Sequence, residues 1–269
     1  MGERVIYVAE QGGGRILEVA LDGSADREIA SGLGGPYAIA VAASGDLIVT
    51  LRDTGAVVRI RDGVVTELAS GQARPGRIVV AGIFAYWIDE GVADGDGALR
   101  RVAIEGGAVE DLATALAAPR GLAITSTRCY VTETGAQQLG WVPIEGGTIT
   151  GLVDGDGTPL GVAVDEAAGQ VYWTAPGRRG GGWLRRTDLD LTTNVRVSFS
   201  PPGPSVILLD VDSVLWSTSQ TLSSAPRAGG AYEDLAIEAA VCDFAVDASA
   251  LYWTDPQTGR LLSTPRPAS

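Results

Sequence analysis

Histidine and lysine are both missing from the 269 residues, and asparagine occurs once, at Asn194. Without histidine the chain has no usual general base, no imidazole metal ligand, and no Ser-His-Asp or Cys-His nucleophile system. Without lysine there is no Schiff-base chemistry. The two cysteines, Cys129 and Cys242, stand far apart and outside any metal-ligand spacing. They read as small buried apolar groups. Apolar runs are short and broken by Gly, Asp or Pro, so no transmembrane helix fits. The opening "MGERVIYVAEQ" enters a strand pattern at once, with no signal-peptide pattern. The compartment is left open, with a secreted or periplasmic location favoured if a leader was removed.

Basic residues are also scarce. Twenty arginines face 33 Asp plus Glu, a net charge of −13. That balance excludes a phosphate-backbone binder and favours protein partners or small neutral or cationic ligands, with no nucleic acid and no membrane insertion.

What is present is glycine, 37 of them, and a repeat. The segments "VIYVAE", "DLIVTL", "FAYWID", "RCYVTE", "QVYWTA", "SVLWST" and "ALYWTD" recur along the chain. They lie roughly 40 residues apart, the period of a four-stranded propeller blade. Ahead of this strand lies one of the type "PYAIAVA", "PRGLAIT" or "CDFAVDA"; after it come strands such as "ALRRVAI" and "AVEDLAT". Turns such as "IEGGA", "IEGGT" and "RAGGA" supply the positive φ angles of tight hairpins.

With strands lettered A to D from the centre of a blade ring outward, the pattern gives six A, seven B, seven C and six D strands. The expected fold is all-β, a single propeller domain of four-stranded antiparallel blades. Seven blades are favoured over six, because every B–C pair carries its own apolar pattern and is costly to leave undocked. The expected repeats are 1–32, 33–73, 74–117, 118–157, 158–202, 203–240 and 241–269. A strand buried between two neighbouring blades need not alternate. Tyr252 is therefore expected to face one neighbour and Trp253 the other.

These segments resemble the YWTD propeller family known from the low-density-lipoprotein receptor. The match is best at Tyr252-Trp253-Thr254-Asp255 and good at Tyr172-Trp173-Thr174, Tyr86-Trp87-Ile88-Asp89 and Tyr130-Val131-Thr132-Glu133. The lead-in "P-x-G-[LI]-A" is also similar to NHL-type propellers. The resemblance covers nearly the whole chain and is specific for fold and weak for activity. Receptor YWTD domains have six blades, which is a departure. Calcium-dependent lactonase propellers are similar in fold but use a central site rich in asparagine, which this chain cannot supply. Streptogramin-lyase-type propellers are similar in repeat pattern but rely on a histidine, which is missing.

The residue closing each YWTD-like strand reads Glu10, Leu51, Asp89, Glu133, Ala175, Thr218 and Asp255. Four acids at one repeat position suggest an anionic ring for a cation or a basic partner group. The plainer reading is that each acid caps its own loop. Tyr37, Arg77 and Arg120, near the starts of A strands, are candidates either for the same face or for pairing with those acids. Two "DGDG" loops, 94–97 and 154–157, resemble the start of a calcium loop without its distal ligands. Arg178, Arg179 and Trp183 form the one basic, aromatic patch, of the kind that anchors interfaces. The expected function is a non-catalytic binding module using its loop face, with no cofactor. The alternatives are a carboxylate- or metal-dependent hydrolase or lyase, or a lectin-like sugar binder using residues such as Gln137, Gln138 and Gln257.

Overall fold

The structure, a computed structural model, describes residues 4–22, 24–93, 95–153, 157–177, 181–200, 203–218, 220–237, 241, 243–255 and 260–266. Among them every regular element is a β-strand. The chain divides into two compact units, residues 1–124 with 142–148, and residues 125–141 with 149–269.

In the first unit, sheet 1 comprises β1 (Val5–Glu10), β2 (Arg15–Ala20) and β3 (Arg27–Ala30). Sheet 2 comprises β4 (Pro36–Val41), β5 (Leu47–Leu51), β6 (Ala56–Arg61) and β7 (Val64–Ala69). Sheet 3 comprises β8 (Pro75–Ala81), β9 (Phe84–Asp89), β10 (Gly97–Ala103) and β11 (Glu110–Leu116). Sheet 4, β12 (Pro119–Ile124), β13 (Arg128–Glu133), β14 (Gln138–Pro143) and β15 (Thr150–Val153), draws strands from both units.

In the second unit, sheet 5 comprises β16 (Val162–Asp165), β17 (Gln170–Pro176), β18 (Gly182–Asp188) and β19 (Val195–Ser200). Sheet 6 comprises β20 (Ile207–Leu209), β21 (Ser213–Ser217), β22 (Thr221–Pro226) and β23 (Glu233–Ile237). Sheet 7 comprises β24 (Phe244–Val246), β25 (Ala250–Asp255) and β26 (Arg260–Pro265).

The fold is all-β, a β-propeller of seven antiparallel blades. Each sheet is a simple meander in chain order. Among the described residues sheet 1 shows no strand A and sheet 7 no strand D, and every B–C pair has its own sheet, with none left as a spare hairpin.

The YWTD-like strand sits second from the inside, with partners on both faces. Leu251 and Trp253 pack with Leu215 and Leu222 of sheet 6, while Trp216 of sheet 6 packs with Tyr172 of sheet 5. Trp87 of sheet 3 packs likewise with Ile48 and Val57 of sheet 2. The tryptophan position thus faces the preceding sheet and the tyrosine position the following one. Trp87, Trp173, Trp216, Tyr130 and Tyr172 are all fully buried. Truncating such an aromatic to alanine costs about 3–5 kcal/mol. Cys129, next to Tyr130 on β13, is wholly buried as well.

The third letter of the repeat stitches sheets together. Thr50 Oγ1 accepts the Ala38 amide of its own sheet at 3.1 Å and donates to the Gly76 carbonyl of sheet 3 at 3.0 Å. Thr132 donates to the Leu160 carbonyl at 2.7 Å. Gly161 is needed at the next link, where Thr174 reaches Ser205, because a Cβ there would collide with the Ser205 carbonyl oxygen.

A second set of links runs along the other end of the strands and consumes arginines. Arg59 Nη1 donates to the Ile104 carbonyl at 2.8 Å and Arg101 Nη1 to that of Ile144 at 3.0 Å. In the second unit Arg128 Nη1 reaches the Leu189 carbonyl at 2.5 Å and Arg186 Nη1 that of Arg227 at 3.2 Å. Arginine suits this task, since its fork serves a carbonyl and a carboxylate at once.

Candidate functional site

Of the four acids that close the YWTD-like strands, Glu10, Asp89 and Glu133 are engaged by groups of their own sheet or of the loop leading into it. Glu10 Oε2 accepts from Arg15 Nε at 2.5 Å, across the first B–C turn. Asp89 is buried, and its Oδ2 accepts from the Ala73 amide at 2.9 Å and from Arg100 Nη1 at 2.5 Å. Arg100 continues to Asp111 at 2.6 Å and to Gln72 Oε1 at 2.9 Å, and Gln72 Oε1 also accepts from the Trp87 indole at 3.3 Å. Burial pushes the Asp89 carboxyl up, against the pull of the Ala73 amide and Arg100. Glu133 is buried and accepts from Gln138 Nε2 at 2.5 Å. Asp255 lies opposite Arg260 in the β25–β26 register. Among the described residues no group of three or more Asp, Glu, His or Cys is placed to hold a metal ion.

The other sequence candidates fall as follows. Arg178, Arg179, Cys242, Gln257, Asp94 and residues 154–156 of the second "DGDG" loop lie outside the described residues. In the first loop Asp96 Oδ2 accepts from the Val92 and Ala93 amides at 3.1 and 2.9 Å, capping its own turn. Trp183 is half-buried on β18 rather than displayed, and the Arg196 guanidinium covers its ring at 3.9 Å. Gln138 is committed to Glu133, and Gln137 occupies a left-handed turn position with φ 55°.

A different group gathers where strands A begin in sheets 2, 3 and 4, all within the first unit. Its centre is Glu90, one residue beyond Asp89, with a side chain only 6% exposed. Arg52 Nη2 forms an ion pair with Glu90 Oε2, Arg120 Nη1 lies 2.7 Å from the same oxygen, and Arg74 Nη2 lies 3.9 Å from it. Arg120, one of the sequence candidates, meets an acid, and that acid is Glu90, not the strand-closing Asp89. Tyr37 stacks under Arg52, with the guanidinium carbon 4.2 Å from the ring centroid. One carboxylate thus serves three guanidiniums, an excess of positive charge in a chain of net charge −13.

The local backbone explains how these side chains arrive. Strand A of sheet 2 shifts register between Pro36 and Ala38, which sets Tyr37 in a bulge; strand A of sheet 3 shifts between Pro75 and Ile78, which sets Gly76 and Arg77 in another. Bulges re-aim side chains at sheet ends. Gly76 leaves room for Glu90, whose Oε1 would lie 2.9 Å from a Cβ at that position. Arg77 is half-buried beside it. Arg74 holds φ 65°, a left-handed conformation also adopted by Gly35 and Gly203 before the corresponding prolines. Arg74 and Arg120 keep 51% and 43% of their side chains exposed, so both present donors to solvent as well as to Glu90.

Arg52, Arg74 and Glu90 were not singled out by sequence reasoning. Arg52 and Glu90 each stand one residue past the strand-closing position, Leu51 and Asp89, and that offset is the signal which could have found them.

No protein-family model and no curated protein sequence matches this chain. Solved structures do match in fold. Virginiamycin B lyase from Staphylococcus aureus superposes with a TM-score of 0.79 at 13% identity, covering 95% of this chain and 89% of that one. A catalytically inactive histidine-to-alanine variant of the same lyase with quinupristin gives 0.74 at 12% identity, covering 97% and 98%. The nidogen/laminin complex gives 0.65 at 16% identity, covering 79% and 86%. Identities at this level establish the propeller fold and nothing finer.

Proposed function

We propose that this chain is a non-catalytic, YWTD-like binding module that takes a carboxylate-bearing ligand or partner group on the arginine cluster around Glu90. The observation that carries the reading is the convergence of Arg52, Arg74 and Arg120 on that one buried carboxylate. Arginine forks match carboxylates two bonds at a time. Glu90 satisfies only part of the donor set, and the excess positive charge favours a second carboxylate arriving from solvent. Tyr37, 44% exposed under Arg52, adds an aromatic edge to the same spot.

This reading places the ligand-binding charge one residue beyond the acidic ring and reverses its sign. Three acids of that ring, Glu10, Asp89 and Glu133, have donors of their own in Arg15, Ala73, Arg100 and Gln138. Catalysis is disfavoured by residue type. The lyase variant described as catalytically inactive has a histidine replaced, and this chain contains no histidine at all.

The test is a thermal-shift series at constant ionic strength with acetate, succinate and citrate against chloride. Carboxylates should raise the melting temperature of the native chain, since a ligand that binds only the folded state stabilises it. The rise should vanish in Arg120→Gln. Equal responses to chloride and to carboxylates would overturn the reading.

A further inference from the structure

In four sheets the residue of strand C that pairs with the tyrosine position is charged. It is Glu18 opposite Tyr7, Arg59 opposite Ile48, Arg101 opposite Tyr86 and Arg186 opposite Tyr172. Each is occupied electrostatically. Glu18 pairs with Arg27 of its own sheet at 3.0 Å. Arg101 is buried between Glu110 at 2.9 Å, Glu145 at 2.7 Å and the Ile144 carbonyl. Arg59 and Arg186 bridge to the neighbouring sheet.

Sheets 6 and 7 depart from this pattern, with Ser224 opposite Leu215 and Ser263 opposite Tyr252, and among the described residues sheet 6 is the one that keeps a strand-D acid beside its serine. Leu215 is paired with Ser224, and Ser224 with Glu233 of strand D, just as Arg101 is paired with Glu110. The acid is retained and the arginine is gone. Beside Ser224 lies a cavity of about 540 Å³ between sheets 6 and 7. Its floor is Leu215 and Leu251, both buried, and its polar walls include Asp210, Asp212, Glu233 and Arg266. Arg266 is ion-paired with Asp210 at 2.5 Å. Glu233 holds only the Ser224 hydroxyl, at 3.2 Å, among the partners described. Among the described lining residues the acids therefore exceed the arginine by two charges.

We infer that this cavity is a second binding site, for a guanidinium or alkylammonium cation on a short apolar stem. The ligand's cation would do at Glu233 what Arg101 does at Glu110, while its stem covers Leu215 and Leu251. The volume lies within the range of small-molecule sites. Among the described lining residues, three acids against one arginine disfavour an anion, and no aromatic side chain is present to stack a sugar. The site is separate from the Glu90 cluster, which belongs to the first unit.

The experiment is calorimetric titration of the full chain with agmatine, with neutral butylurea, and with the blocked peptide acetyl-Gly-Arg-Gly-amide. Saturable agmatine binding is expected, with none from butylurea. Glu233→Gln should weaken it about tenfold, the worth of one charge-assisted hydrogen bond. Ser224→Arg should abolish it by supplying the guanidinium from within. Tighter binding of the peptide than of agmatine would assign the site to an arginine side chain of a partner, and the reverse to a free amine; either supports a cation site. Absence of saturable agmatine binding, equal binding of butylurea, or an unchanged affinity in Glu233→Gln would overturn it, and Glu233→Gln decides the matter even if Ser224→Arg fails to fold.

Discussion

Thr174 holds Ser205 of the next sheet through one hydroxyl. Its Oγ1 accepts the Gly161 amide at 2.9 Å and donates to the Ser205 carbonyl at 3.0 Å, and the residue is wholly buried. The repeat needs a hydroxyl here because two backbone groups on adjacent inner strands converge on the same point.

Replacing Thr174 by valine keeps the shape and removes both bonds. The Gly161 N–H and Ser205 C=O are then buried without this partner, a cost of about 1–3 kcal/mol. Urea unfolding should show that loss, and Thr174→Ser should recover most of it. Equal stability of the valine and serine variants would sink the bridging role.

Arg74 offers a way to separate folding from binding. At φ 65° a non-glycine residue is strained, and glycine relieves the strain. Arg74→Gly should fold at least as stably as the parent, with a gain of up to about 1 kcal/mol, while losing part of the carboxylate-induced thermal shift. A variant that is markedly less stable, or that keeps the full shift, would contradict the assignment.

Acid should expose the link between Asp46 and Arg61. Hydrogen bonds from Arg61 and then Ser44 hold the Asp46 carboxyl down to about 2, from an ordinary value of 3.8. A depressed carboxylate contributes stability above its unfolded pKa and loses it as pH falls through the folded one. Arg61→Gln should therefore be less stable than the parent at pH 7. That gap should close between pH about 4 and about 2. Glu105, also held below its ordinary value by Arg61, adds in the same direction. A gap that stays constant down to pH 2 would contradict the linkage.

The sheets were legible in the sequence because their code is repeated. Tyr and Trp at adjacent positions must face opposite sheets, and the Gly-Gly turns must close hairpins at Gly106-Gly107, Gly146-Gly147 and Gly229-Gly230, all with positive φ. The site was less legible. An acid closing a strand is indistinguishable in sequence from a ligand until its donor is located. Those donors lie on other segments: Arg100 on the next strand for Asp89, Gln138 for Glu133. The Glu90 cluster joins residues from positions 37, 52, 74, 90 and 120, contributed by three sheets, and no local pattern announces it. The Ser224 cavity is hidden for a related reason, since its meaning depends on pairing register against Tyr86–Arg101 and Tyr172–Arg186.

Glu90→Gln gives the most direct test of the carboxylate site. The change removes the internal carboxylate from the three arginines and should destabilise the protein, as breaking a buried pair does by about 3–5 kcal/mol. Added acetate should then supply the missing negative charge beside the three guanidiniums, from their solvent-exposed side. The melting temperature of Glu90→Gln, followed against acetate at constant ionic strength, should climb more steeply than that of the parent chain. Parallel slopes for the two proteins would contradict a carboxylate site at Arg52, Arg74 and Arg120.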